Sequence, residues 1–230
     1  MQKLEGIAEE IRRNFDARTA ARDQALSQAR QLTRACSLAI RAVHRDEADG
    51  MQEQLEEAGR LARTLTRDLA QHPDLFHAGY TQDALKEYVE ASATCALIQN
   101  LPLPTPTELN VADATYLNGL AEVVGELRRR TLDILRHGYS EEAERLLTIM
   151  DEIYSVLVTM DYPDAITNGL RRQTDVARSI IEKTRGDITF SLRGEHLEQA
   201  IGRLSAQLDG GREQKTRSKG THSLPSDEGE

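Results

Sequence analysis

The sequence predicts an all-α protein, and three observations carry that expectation. Only six of its 230 residues are proline and none is tryptophan, while the strong helix formers Ala, Leu, Arg and Glu are plentiful. Apolar side chains recur at three- and four-residue spacing over long stretches, the period of a helix that buries one face. Glycine and proline fall mostly at a few points that divide the chain into long segments.

Those points predict seven helices. The first covers residues 4–44, with neither Gly nor Pro after Gly6. The second covers 47–71, carries Leu55, Leu61, Leu65 and Leu69, and is closed by Pro73, because proline pushes the preceding residue out of the helical region. A third begins after Gly79, with Thr81 as a possible cap, and runs to residue 100. "LPLPTPTEL" at 101–109 is expected to be a rigid connector, since three prolines alternate through it. The fourth helix spans 112–136 and ends at Gly138. Ser140 caps a fifth, which opens on Glu141 and Glu142, runs to residue 161 and has its acids where the helix dipole favours them. The sixth is 164–185, with a break near Gly169, and the last is 194–208. Residues 209–230, rich in Gly, Ser and charge, are expected to form a disordered polar tail.

Composition excludes several function classes. A formal net charge of −9 argues against a surface that is basic throughout, although a local basic face remains compatible with it. Cys36 and Cys95 lie in apolar helical surroundings without His or Cys at ligand spacing, so both are expected to be small buried hydrophobes in a reducing, cytoplasmic compartment. No apolar run approaches the ~18 residues of a membrane span. Phosphate loops, zinc spacings and nucleophile elbows are absent.

What stands out is acid placed on helices that otherwise look like core. In "KEYVEA", Glu87 and Glu90 lie one turn apart on a stripe with Asp83 and Thr94, opposite Leu85, Val89, Ser92 and Ala96. In "AEVVGEL", Glu122 and Glu126 share a face with Thr115, Asn118, Gly119, Arg129 and Asp133, opposite Leu120, Val123, Val124 and Leu127. Gly119 and Gly125 flank this stripe, and each costs about 1 kcal/mol in a helix relative to Ala, so something is expected to approach the backbone there. On spacing alone, two exposed solvated faces explain the acids as well as a site does. If the stripes face each other, four carboxylates converge, which only bound protons or a hard divalent cation make tolerable. Oxygen-only ligation selects Mg²⁺ or Mn²⁺, and a di-iron site is excluded because no His follows Glu87 or Glu122 by three residues.

"KEYVEA" together with "ATYLNGLAEVVGEL" resembles the paired signature of the translin and translin-associated factor X family, in its X-type subunits and their prokaryotic relatives. The likeness extends over about residues 1–205, is sharpest at 80–130 and again at "IIEKTRGD", and residues 1–208 are taken as one translin-like domain. It implies a seven-helix bundle of long antiparallel helices and assembly into a closed homo-oligomer, an octamer. It also implies an Mg²⁺-dependent endoribonuclease activity on single-stranded RNA, with DNA as an alternative strand. Matched position by position, the family's acids fall on Glu87, Glu90, Glu122 and Glu126 as catalytic and metal-holding residues. Tyr116, Leu117 and Gly119 match the lead-in to the second motif. Glu122 departs from the pattern, standing where the family usually has Asp.

RNA contact requires basic residues. Arg30, Arg34, Arg41 and Arg45 project within about 60° of one another along the first helix, either as a phosphate-tracking rail or as partners of Glu53, Glu56 and Glu57. Arg129, one turn beyond the acids' centre, is placed to orient a phosphate or to neutralise Glu126 or Asp133. His44, His72 and His77 are expected at the surface or at helix ends, without a role. The sequence thus points to a metal-dependent endoribonuclease, with a non-catalytic translin-type RNA- or DNA-binding shell protein as the alternative and a helical scaffold as a third.

Overall fold

The computed structural model describes the backbone of residues 2–219 and the side chains of residues 3–207. These residues form nine helices: α1 (Gln2–His44), α2 (Ala48–Asp68), α3 (Pro73–Phe76), α4 (Gly79–Ile98), α5 (Pro106–Leu109), α6 (Asp113–Leu135), α7 (Glu141–Leu157), α8 (Asp164–Thr167) and α9 (Leu170–Lys219). No strand occurs among the described residues, so the fold class is the all-α bundle expected.

Differences from the seven-helix expectation have local causes. Pro73 does not close α2, which ends at Asp68; it opens the single turn α3. Pro106 likewise starts α5 inside the segment taken as a non-helical connector, because proline is tolerated at the first helical position. Thr105 and Glu108 complete that turn with a reciprocal capping box. Thr81 does not cap α4: it lies inside the helix, buried, and its hydroxyl donates to the Leu75 carbonyl at 2.8 Å. Ser140 does cap α7, accepting from the Glu142 amide at 3.2 Å. The break near Gly169 is real, with Asn168 and Gly169 both at positive φ, and it cuts off α8. Beyond it α9 is continuous where two helices were expected, because Gly186 and Gly194 only weaken a helix and no proline intervenes. Its backbone stays helical to Lys219, into the segment expected as a tail; residues 220–230 lie outside the described residues.

Side-chain pairs fix the directions of the helices. Arg30 shares a cleft with Asp83, and Cys95 Sγ reaches the Ala39 carbonyl, so α1 and α4 advance together. Thr115 pairs with Gln82 and Glu122 with Lys86, so α6 runs parallel to α4. Arg128 pairs with Asp187 and Gln173 with Glu122, which makes α9 parallel to α6. The antiparallel members are α2 against α1 and α7 against α9: Gln24 and Gln28 meet Asp68, and Asp151 of α7 and Asp161, just beyond its end, meet Arg185 and Arg171.

Helix α4 lies between two cores. Its Ala84, Leu85 and Ala91 pack with Leu32, Cys36, Leu61 and Leu65 of α1 and α2. Its Val89 and Ala93 pack with Val123, Leu127, Met150 and Ile181 of α6, α7 and α9. Both cysteines are buried, as expected. The contact between α4 and α6 is closest at Gly119, where a Cβ would stand 2.7 Å from Val89 Cβ and 2.9 Å from the Lys86 carbonyl oxygen. What approaches this backbone is therefore helix α4. The same expectation fails at Gly125, around which a Cβ would meet nothing within 4 Å.

The two glycines should respond in opposite ways to the same substitution. Gly119→Ala overpacks the seam and should destabilise the protein by about 1–3 kcal/mol. Gly125→Ala should be neutral or stabilising by up to about 1 kcal/mol, because the space is open and Ala is the better helix former. Urea denaturation of both variants checks this; equal effects would show that the seam is looser than described.

Candidate metal centre

The Gly119 seam places the acids. Glu87 and Glu90 occupy successive turns of α4, in the strip left between its two core-facing sides, and Glu122 lies one turn past Gly119 on α6. One carboxylate oxygen from each of Glu87, Glu90 and Glu122 lies within 4.8 Å of the others, and all three residues are half-buried. Opposite ligands of an octahedral Mg²⁺ stand roughly 4 Å apart, given Mg–O bonds of 2.0–2.1 Å, so a small inward movement of these side chains would hold such an ion.

The electrostatics fit a cation. Burial, then the charges of Glu87, Glu122 and Glu126, push the Glu90 carboxyl up to about 8. Burial and Glu122 also raise Glu87. Without a metal the group therefore keeps a proton near neutral pH, as carboxylates crowded in a low-dielectric site must. One positive charge is already present: Lys86 Nζ donates to Glu122 Oε1 at 2.7 Å. Burial opposes the Lys86 charge, but Glu122, with Asp83 and Glu87, outweighs it and holds the ammonium pKa above its ordinary value. Gln173 of α9 donates to the same oxygen at 3.3 Å.

Glu126 is not among the three acids brought together. Its Oε2 accepts from His44 Nε2 at 2.5 Å, and that bond, above all, holds its carboxyl below the ordinary range. The His44 side chain is 3% exposed, so of the two expected placements, at the surface or at a helix end, only the second holds. It does end α1, but it continues the buried row Cys36–Ile40, and that four-residue spacing was the available signal. Burial and the charges of Glu87 and Glu90 push the Cys36 thiol far up, so the cysteine of that row is an unreactive thiol. Lys86 and Gln173 were also missed: the first sits beside Glu87 without sharing its face, and the second comes from a helix with no sequence link to the motif.

The basic residues divide. Arg129 Nη1 stands 3.5 Å from Glu126 Oε2 and is half-exposed. Arg30, Arg34 and Arg41 are exposed along α1 and form no ion pair among the described residues. The α2 acids proposed as their partners are engaged elsewhere in two cases, Glu57 with Arg60 and Glu56 with Gln52. Arg45 lies 3.9 Å from Glu47.

The crowding of acids sets a pH dependence. Glu90 ionises near 4.5 in the unfolded chain and near 8 in the folded, metal-free protein, so the unfolded state loses its proton first. Stability in EDTA should therefore fall as pH rises from about 4.5 to about 8, by on the order of a few kcal/mol, and level off above. Glu87 acts in the same direction, whereas the depressed Glu126 acts in the opposite direction at lower pH. Glu90→Gln should flatten the decline between pH 5 and 8 in urea titrations; an unchanged slope would show that Glu90 is solvated.

Comparison with known proteins agrees with this fold. No protein-family model matches the chain. An uncharacterised protein of Methanocaldococcus jannaschii, MJ0175, is 32% identical over 189 residues, 81% of this chain and 83% of that protein. Among solved structures, an archaeal C3PO, AfC3PO, in complex with duplex RNA is 32% identical with a TM-score of 0.75, covering 81% of this chain and 96% of that one. AfC3PO described on its own is 31% identical, also at a TM-score of 0.75 and covering 81% and 97% of the two chains. The apo C3PO of Neurospora, at 22% identity, a TM-score of 0.73 and coverage of 80% and 96%, shares the fold. The chain belongs to the translin family, as a C3PO-like member.

Proposed function

We propose that this chain binds RNA in the manner of translin-type proteins and cleaves it as a divalent-metal-dependent endoribonuclease. The observation that carries the reading is the meeting of Glu87, Glu90 and Glu122 from two helices, with their oxygens within 4.8 Å, in a family member whose similar structure AfC3PO is described with duplex RNA. Glu87, Glu90 and Glu122 would hold Mg²⁺ or Mn²⁺, with Glu126 at the edge of the same site. A bound ion would supply charge neutralisation at the phosphodiester and a lowered pKa for water. The residues themselves fix the geometry: the Gly119 seam sets the distance between the acids, and Gln173 orients Glu122.

The exposed Arg30, Arg34 and Arg41, which form no ion pair among the described residues, support a rail that neutralises phosphates along α1, with Arg129 beside the acids. The substrate we propose is single-stranded RNA, with single-stranded DNA as a weaker ligand, handled in the cytoplasm. None of the described helices is long and apolar enough to cross a membrane. Exposed apolar stripes support assembly of identical chains. Leu4, Ile7, Ile11 and Phe15 form one on α1, and Phe190, 81% exposed, forms another with Leu197, Ile201 and Leu204 on α9. A closed homo-oligomer, proposed as an octamer, would cover them.

One observation favours the alternative of a non-catalytic binding shell. Lys86 already neutralises Glu122, so the acids have an internal counter-ion. Incubation of the full chain with end-labelled single-stranded or duplex RNA separates the two readings. The nuclease should cleave with Mg²⁺ or Mn²⁺ and stop in EDTA, and Glu87→Gln or Glu90→Gln should lower the rate by roughly 10²-fold or more while RNA affinity in EDTA persists. Glu122→Asp, the family's usual residue, should retain cleavage. Salt-sensitive binding without cleavage under any metal would establish the shell instead.

A further inference from the structure

We infer that His44 is a positioning residue that keeps Glu126 out of the cation's ligand set and reserves it for the attacking water, an inference that rests on the metal-dependent reading above. The four acids then do two different jobs.

The geometry of His44 separates it from an ordinary core histidine. Its ring is almost fully enclosed, and Glu126 is 23% exposed, so the 2.5 Å bond between them lies in surroundings that strengthen a charge-assisted contact. The ring is aimed by its backbone. His44 is the last residue of α1, and its carbonyl oxygen accepts from Arg130 Nη1 at 3.4 Å, while Arg130 Nη2 donates to Asp46 at 2.8 Å. Arg130 follows Glu126 by one turn on α6, so the end of α1 is fastened to α6 one turn beyond the contact.

Both donors that reach Glu126 use the same oxygen. His44 Nε2 and Arg129 Nη1 converge on Oε2, and Oε1 has no hydrogen-bond partner among the described residues. With one oxygen fixed this way, Glu126 cannot turn both oxygens to a cation, and it stands outside the group formed by Glu87, Glu90 and Glu122. Oε1 is thus the oxygen left to accept from a water molecule. In the step assigned to it, a water oxygen forms the new bond to phosphorus and the bond from phosphorus to the leaving ribose oxygen breaks. The proton of the water passes to Glu126 Oε1, and the leaving oxygen takes a proton from solvent.

The test measures Mn²⁺ affinity by calorimetry separately from cleavage, on the full chain carrying His44→Ala, Glu126→Gln, both, or His44→Gln. Glu126→Gln should leave Mn²⁺ affinity within about twofold while cleavage falls by roughly 10²-fold. His44→Ala should hold or tighten Mn²⁺ binding, because the freed carboxylate can reach the ion, and should slow cleavage by roughly 10–100-fold. The double variant should be no slower than Glu126→Gln alone, since His44 acts through that residue. His44→Gln, whose amide can still donate, should recover part of the rate. A tenfold or greater loss of Mn²⁺ affinity in Glu126→Gln would make Glu126 a ligand and overturn the inference, even if His44→Ala proves too unstable to assay. Losses that multiply in the double variant would overturn it as well. A parent protein that binds no Mn²⁺ would remove the metal-dependent reading itself, and this inference with it.

Discussion

The closeness of α4 and α6 at Gly119 is the constraint on which the rest of the site depends. Only a residue without a Cβ lets the Val89 side chain and the Lys86 carbonyl come within 3 Å of where that atom would be. At that separation the turns on either side of the seam bring Glu87 and Glu90 against Glu122. A wider spacing would let each stripe solvate separately, and the acids would be ordinary surface charge. The burial of α4 between two cores completes the effect, since Val89 and Leu85 fix its rotation and hold the acids half-buried beside α6.

That arrangement is costly on its own, and the chain offsets the cost in three ways. Glu90 retains a proton, Glu122 is paired with Lys86, and Glu126 is paired with His44. Three of the four acids are thus compensated in different ways, which is unlike a uniformly solvated stripe. Lys86 is the informative one. An ammonium at 2.7 Å from Glu122 occupies the place where a divalent ion would draw that oxygen, so cation binding and the Lys86 pair compete. Glu122, one methylene longer than the residue usual in the family, has the reach to serve either.

Much of this was legible in the sequence because it is local. Period and capping residues located α1, α2, α4, α6 and α7, and the acidic stripes followed from the same period. The turn α5 was missed although "TPTE" carries its capping box, because three prolines outweighed it in the reading. The continuity of α9 was not legible because Gly186 and Gly194 lower helix stability without ending the helix. Contacts across the fold were not legible. Gly119 and Gly125 look alike in the sequence, and only the neighbouring helix distinguishes them. His44 meets Glu126 across 82 residues, and its spacing from Ile40 marked it as inward-facing without naming a partner.

The most direct measurement is a crystal structure of the full chain grown with Mn²⁺, with anomalous scattering recorded at the manganese absorption edge. An anomalous peak bounded by Glu87, Glu90 and Glu122 is expected, at metal–oxygen distances of roughly 2.0–2.3 Å, with Lys86 Nζ displaced from Glu122. A site without anomalous density, in which Lys86 remains bonded to Glu122 at saturating Mn²⁺, would contradict it and leave the acids as an internally neutralised seam.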